Sequence, residues 1–192
     1  MARPSSRQVL GRTALFLGIV LALLGVYLTA LEATGNFHTV FPGELYRSAQ
    51  PMPQQMDDYA RLYGIKTIIN LRGGTNNDDW YRAEMTESRA LGITHIDFPM
   101  SAGQELTQEQ AAQLIEIMRS AEKPLLIHCK RGADRTGLAS ALYVAAVKKL
   151  GESQAEAQLL PIYGHLSIPF TAPYAMDRTW QMMEPSLRLN RN

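Results

Sequence analysis

The sequence predicts an α/β domain with a mainly parallel central sheet flanked by helices, preceded by an N-terminal transmembrane helix. Three observations carry this. From residue 44 onward, short β-branched runs alternate with longer stretches of helical periodicity, the pattern of strands joined by helical crossovers. The strand-like runs are apolar almost throughout, as in strands covered on both faces. Residues Thr13 to Leu31, TALFLGIVLALLGVYLTAL, carry no charge at all.

Arg12 and Glu32 bracket that apolar run. At about 1.5 Å per residue it can just span a bilayer core of about 30 Å. A cleaved signal peptide has a shorter apolar region, about 7–15 residues, ending at a small-x-small site. Here the best such site, LEA ending at Ala33, has Leu31 where a small residue belongs. An uncleaved anchor over 13–31 is therefore expected. Arg3, Arg7 and Arg12 precede it, and no cation follows before Arg47. The positive-inside rule then places tail 1–12 in the cytoplasm and the domain across the membrane, which in a bacterium is the periplasm. A chain with one cysteine suits that compartment, having no internal partner for it.

Residues 32–43, EATGNFHTVFPG, read as a linker, and 44–192 as the folded domain. ELYRSAQ is a short extended segment. In PQQMDDYARLYG, Met56, Tyr59, Ala60 and Tyr63 fall on one helix face, and Gly64 ends it. IKTIINLR is a buried strand, DDWYRAEMTESRALG a less regular helix, and ITHIDFPM another strand. TQEQAAQLIEIMRSA opens with Thr107 and Gln110 at capping-box spacing and presents Ala111, Leu114, Ile115 and Met118 as its apolar face. PLLIHC is a third buried strand. TGLASALYVAAVKKL is apolar nearly all round and predicts a central helix covered on several sides. Two further helices follow, from Ser153 and from Ala172.

The 192 residues carry a net charge of +1, which gives no reason to expect a nucleic-acid partner. The histidines at 38, 95, 128 and 165 show no H-x-x-x-H or H-x-H spacing, and there is a single cysteine, so neither a metal centre nor another cofactor is expected.

The chemistry concentrates in HCKRGADRTG, His128 to Gly137, between the strand PLLI and the helix GLASALYVAAV. Ligands of such folds bind at the carboxyl ends of strands, where loops lead into helices. The amides of Lys130, Arg131, Gly132, Ala133, Asp134 and Arg135 form a loop at a helix N-terminus, where N–H groups and the helix dipole both favour an anion. Thr136 closes the phosphate-binding set. A cysteine at the base of this nest sees a positive potential that stabilises a thiolate, so Cys129 is the candidate nucleophile. Arg135 can hold two phosphoryl oxygens and follow them to the transition state. Thr136 can hydrogen-bond the sulfur as it leaves. The opposing reading, Cys129 as a small buried hydrophobe, does not explain the Gly-x-x-Arg-Thr-Gly that follows it.

H-C-x-x-G-x-x-R-T-G resembles the phosphate-binding loop of cysteine-dependent protein tyrosine phosphatases of the small dual-specificity type. LYRSAQP, IINLRGG and FPM look like segments of atypical dual-specificity-like phosphatases, and the resemblance covers roughly residues 41–150. It implies a phosphocysteine intermediate without a metal. The family's usual general acid is an aspartate on the loop after the strand read here as THIDFPM, but that loop is SAGQELT. C-x-x-x-x-D-R-T is also similar to the loops of myotubularin-like and Sac-like phosphoinositide phosphatases, in several of which the loop aspartate serves as the acid. The candidates are ranked Asp134, then Asp97, then Glu105. Lys130 and Arg131 suggest an electropositive mouth. Arg47, Asn70 and Arg72 are expected to brace the loop or touch substrate, Trp80 to pack in the core or line the entrance, and His128 to tune the cysteine.

The expected function is hydrolysis of a phosphomonoester on a phosphoprotein or on a lipid or inositol phosphate. A phosphatidylglycerophosphate-type phospholipid phosphatase is the concrete lipid case, since an anchored site meets headgroups at high effective concentration. A silent phosphate-binding module and a rhodanese-like sulfurtransferase are the competing classes.

Overall fold

A computed structural model of the chain describes residues 6–187. Arg3 and the rest of the first five residues of the expected tail, like 188–192 of the expected domain, lie outside the described residues. The chain divides into two compact units, Met1–Thr34 and Gly35–Asn192.

Among the described residues, the first unit contains one helix, α1 (Ser6–Ala33). Its segment Leu10–Ala33 has a mean hydropathy of 2.5 and is long and apolar enough to cross a membrane, a property shared by membrane spans and signal sequences. Leu15, Phe16, Leu21 and Val26 are all exposed.

The second unit is built on five strands, β1 (His38–Phe41), β2 (Leu45–Ser48), β3 (Thr67–Asn70), β4 (Thr94–Asp97) and β5 (Leu125–His128), in the order β1-β2-β5-β3-β4. β2, β5, β3 and β4 pair in parallel, and β1 pairs antiparallel with β2 at the edge. That edge strand lies within 32–43, read from the sequence as linker: its four residues HTVF are a mixed run whose role depends on the hairpin back to Leu45.

The helices are α2 (Pro53–Tyr63), α3 (Asp79–Ala90), α4 (Gln108–Ser120), α5 (Asp134–Leu142), α6 (Glu152–Glu156) and α7 (Ala175–Leu187). Gly64 caps α2 at φ 68°, a left-handed conformation that glycine adopts without strain. The capping box of α4 forms as its spacing predicts, with Gln110 N–H donating to Thr107 Oγ1 and Thr107 N–H to Gln110 Oε1. After α5 the chain runs on as a π-helical turn, Tyr143–Val147.

Because side chains alternate along a strand, the two faces of the sheet differ. Leu45, Ile69, Leu125 and Ile127 face the larger core with α4, α5 and α7, whereas Tyr46, Ile68 and Leu126 face Met56 and Tyr59 of α2. α5 has seven consecutive buried residues, Thr136 to Leu142, as expected of a helix apolar nearly all round. The buried face of α3 is not apolar: it is Glu84 and Ser88. The central strand β5 thus ends with His128 on one face and Cys129 packed into the opposite core.

Candidate active site

The loop from Cys129 to Ala133 leaves the C-terminal end of β5 and enters α5 directly. Its conformation is set from outside, through its carbonyls. The amide of Gln50 donates to Lys130 O at 3.3 Å, Asn36 Nδ2 to Arg131 O at 2.9 Å, and Arg47 Nη2 to Gly132 O at 3.0 Å and Ala133 O at 3.3 Å. These donors together engage the carbonyls of all four residues from Lys130 to Ala133. The first amides of α5 have no intrahelical acceptor. Gly132 sits at φ 69°, and a Cβ there would lie 2.5–2.6 Å from the backbone of Ser48 and Ala49, so the turn needs glycine for conformation and for space.

Arg47 is the brace. It is fully buried, its Nη1 donates to Gln158 O at 2.8 Å, and its guanidinium lies 4.0 Å from the ring centroid of Tyr163. Burial lowers its pKa to about 10, so it remains charged at neutral pH. Of the two roles expected for Arg47, the geometry gives it the bracing one.

Cys129 is 2% exposed, at the base of the loop. Arg135, the second residue of α5, donates from Nη1 to Met100 O at 3.1 Å and to Leu71 O at 3.4 Å. Its Nε and the hydroxyl of Thr136 are buried without a partner among the described residues. Buried polar groups are nearly always paired, and leaving one unpaired costs about 1–3 kcal/mol, so these two are ready donors to an anion in the loop. Lys130 and Arg131 are exposed at the rim. Arg72 stacks on Trp80 at 3.8 Å, and repulsion from Arg135 adds to burial in lowering its pKa. Trp80 is therefore half-buried beside this cationic rim rather than in the core.

The three carboxylates considered as acids lie in different surroundings. Asp97, at the end of β4, accepts from Asn70 Nδ2 at 2.8 Å through Oδ1 and from the Tyr81 hydroxyl through Oδ2. Glu105 pairs with Arg178 of α7 at the surface. Asp134, the first residue of α5, contacts the ring of His165, Oδ1 to Nδ1 at 2.8 Å. His165 also meets Asp177 Oδ2 through Nε2 at 3.1 Å, and Ser167 Oγ donates to Asp177 Oδ1 at 2.6 Å.

Behind the loop, the fold brings His95 and His128 together. Both donate Nε2–H to Glu84 Oε1 at 2.8 Å, while Gln50 Nε2 donates to Oε2 at 2.6 Å. Burial would raise the Glu84 pKa, but the nearby His128 and these hydrogen bonds bring it well below the carboxylate range. Among the described residues, Glu84, His95 and His128 are the one group of potential metal ligands, with ligand atoms within 4.8 Å of one another. In this structure those atoms are already engaged with each other as donors and acceptor, and the cluster holds His128 against Glu84 one residue before the cysteine. Sequence reasoning missed Glu84 and His165. Glu84 sits among charged neighbours in α3, and the partners of His165 lie 31 and 12 residues away, so neither leaves a local signal.

Residues 42–165 match the family described as PTP-NADK, "DSP-PTPase phosphatase fused to NAD+ Kinase". Among curated relatives, the dual specificity protein phosphatase TpbA of Pseudomonas aeruginosa is 30% identical over 122 residues, 62% of this chain and 50% of that protein. The probable chloroplastic NAD kinase 2 of rice, Oryza sativa subsp. japonica, is 35% identical over 81 residues, 41% of this chain and 8% of that protein. The chain thus spans half the length of the first relative and a small part of the second. Among solved structures, TpbA of P. aeruginosa superposes with a TM-score of 0.63 at 22% identity, covering 81% of this chain and 90% of that one. PTPMT1 in complex with PI(5)P superposes at 0.56 and 14% identity, covering 78% and 97%. Both are likenesses of fold. The family match spans more than half of the sequence and contains the whole cysteine loop, so the chain belongs to the DSP-type family of cysteine-based protein tyrosine phosphatases.

Proposed function

We propose that the protein is a phosphomonoester hydrolase that works through a phosphocysteine intermediate. The observation that carries this reading is the loop whose carbonyls are held outward by Asn36, Gln50 and Arg47, over a buried cysteine and next to the unpartnered Arg135 Nε and Thr136 Oγ1. The phosphoryl group binds to the amides of residues 130–135 and to the Arg135 fork. Cys129 Sγ attacks phosphorus, and the bond to the leaving oxygen breaks as that oxygen takes a proton from Asp134. Water then attacks phosphorus and gives its proton to Asp134, and the S–P bond breaks, with Thr136 stabilising the departing thiolate. Arg135 supplies charge to the equatorial oxygens in both steps. Asp134 is favoured over Asp97 because it stands within the loop itself, immediately before Arg135, whereas both Asp97 oxygens are already taken by Asn70 and Tyr81. Glu105 is engaged with Arg178.

The substrate is a phosphoprotein or a lipid or inositol phosphate. TpbA has been solved in complex with pTyr and PTPMT1 with PI(5)P, so the fold admits both classes. The α1 helix acts as an uncleaved anchor with its N-terminal cations on the cytoplasmic side and the domain in the periplasm. The test is phosphate release by the full chain in detergent from phosphotyrosine peptides, inositol phosphates and phospholipids including phosphatidylglycerophosphate, with Cys129→Ser alongside. The proposal expects release from at least one class and none by Cys129→Ser. Release by that variant overturns it.

A further inference from the structure

The contacts of His165 assign a residue that the loop sequence does not name. The ring is fully buried between two carboxylates, Asp134 from the start of α5 and Asp177 from α7. Each of its nitrogens faces a carboxylate oxygen, at 2.8 Å and 3.1 Å, and each contact needs a proton. A neutral imidazole carries only one N–H; an imidazolium carries two. Ser167 Oγ–H donates to the other oxygen of Asp177. The arrangement is complete with His165 as the imidazolium, donating both N–H groups.

Building on the phosphatase reading above, we propose that His165, anchored by Asp177, is the positioning residue and counter-ion for Asp134 as the reaction's acid and base. Its Nδ1–H fixes Oδ1 of Asp134, leaving Oδ2 to carry the transferred proton. When Oδ2–H passes to the leaving oxygen, the new carboxylate lies beside a cation that is already in place. When water attacks the phosphocysteine, Oδ2 takes up the water proton and the pair returns to its starting state. His165 keeps both of its protons throughout.

The surroundings agree. Burial alone would lower the pKa of His165, but hydrogen bonding to Asp134 and the charges of Asp177 and Asp134 raise it above its ordinary value. Asp134, Asp177 and the Ser167 hydroxyl are the groups that meet the ring and its anchor, and Arg47 of β2 stacks on Tyr163, two residues away. As pH rises through the His165 pKa the ring loses one N–H, one of the two contacts fails, and Asp134 loses its alignment.

The experiment compares the full chain with His165→Asn and Asp177→Asn on phenyl phosphate, a poor leaving group that needs an acid, and 2,4-dinitrophenyl phosphate, which does not. Positioned acids contribute roughly 10²–10⁴-fold, so losing their positioning should cost about 10–100-fold in kcat/KM, which reports the steps up to the phosphocysteine, on phenyl phosphate in His165→Asn. The loss on the dinitrophenyl ester should be at least about tenfold smaller. Asp177→Asn should move the alkaline limb of kcat to lower pH. Equal losses on both esters with an unmoved pH profile overturn the proposal and make His165 a strut. Ring NMR of His165, identified by its absence in His165→Asn, gives a readout that needs no turnover. Its titration should move to lower pH in Asp134→Asn and in Asp177→Asn, and an unmoved titration overturns the proposal even if the parent is active. A parent that hydrolyses neither ester while the titration moves refutes the phosphatase reading, and the catalytic role of His165 with it, but leaves the ion pair standing.

Discussion

Replacing Arg47 by methionine removes the part on which the loop depends most. The guanidinium is fully buried and makes contacts to three backbone carbonyls, Gln158 O at 2.8 Å, Gly132 O at 3.0 Å and Ala133 O at 3.3 Å. A hydrogen bond to a charged group contributes about 1.5–3 kcal/mol net. Methionine fills most of the volume and avoids burying a charge, which offsets part of the loss. Counting the two shorter contacts in full and setting the third against that offset gives a destabilisation of about 3–6 kcal/mol. For a chain of this size about 1 kcal/mol moves the melting temperature by about 2–4 °C, so Arg47→Met should melt on the order of 10 °C lower. The assay is near-UV circular dichroism of the detergent-solubilised full chain, with the inhibition constant for inorganic phosphate measured in parallel. Phosphate inhibition should weaken together with stability, because Gly132 and Ala133 lose the donor that turns their carbonyls outward. Arg47→Lys should recover only a minor part, since a single ammonium cannot reach both the loop and Gln158. An Arg47→Met protein that melts within about 2 °C of the parent and keeps its phosphate inhibition would refute the bracing role.

Gly132→Ala should destabilise by about 1–3 kcal/mol through backbone strain alone and abolish phosphate inhibition, because its Cβ would press on Ser48 and Ala49. Urea unfolding midpoints and the same inhibition assay check this. Glu84→Gln should lower stability at neutral pH and flatten its dependence on acid. The folded carboxyl has a pKa below its ordinary 4.5, so the unfolded chain binds the extra proton first; the stabilisation is present above about pH 4.5 and is lost as pH falls. Denaturant midpoints at a series of acidic pH values check the slope, and an unchanged slope in Glu84→Gln would show that the cluster does not depend on this charge.

Much of the candidate site could be read in the sequence because its parts are contiguous: the proposed nucleophile, the loop and the arginine lie within His128 to Gly137, between an apolar strand and an apolar helix. The capping box of α4 and the left-handed stop of α2 were legible for the same reason, since each is decided within a few residues. What could not be read depends on distant contacts. The helix α3 looked irregular because its buried face is Glu84 and Ser88, polar residues satisfied by His95, His128 and Gln50 from other elements. The strand β1 carries too short and mixed a pattern to stand out without β2 beside it. Arg47 looked like one cation among several until Gln158 and Tyr163, more than a hundred residues later, closed around it. His165 gave no signal at all, because its two carboxylates converge only when α7 packs beside α5.

The proposed mechanism requires Cys129 to become covalently phosphorylated during turnover. Acid-quenching the full chain during hydrolysis of 2,4-dinitrophenyl phosphate, followed by peptide mass spectrometry, captures such an adduct. A phosphoryl group is expected on the peptide containing Cys129, increased in Asp134→Asn when the hydrolysis step is slowed, and absent in Cys129→Ser. Continued turnover with no adduct on Cys129, or an adduct on a histidine instead, would contradict the mechanism.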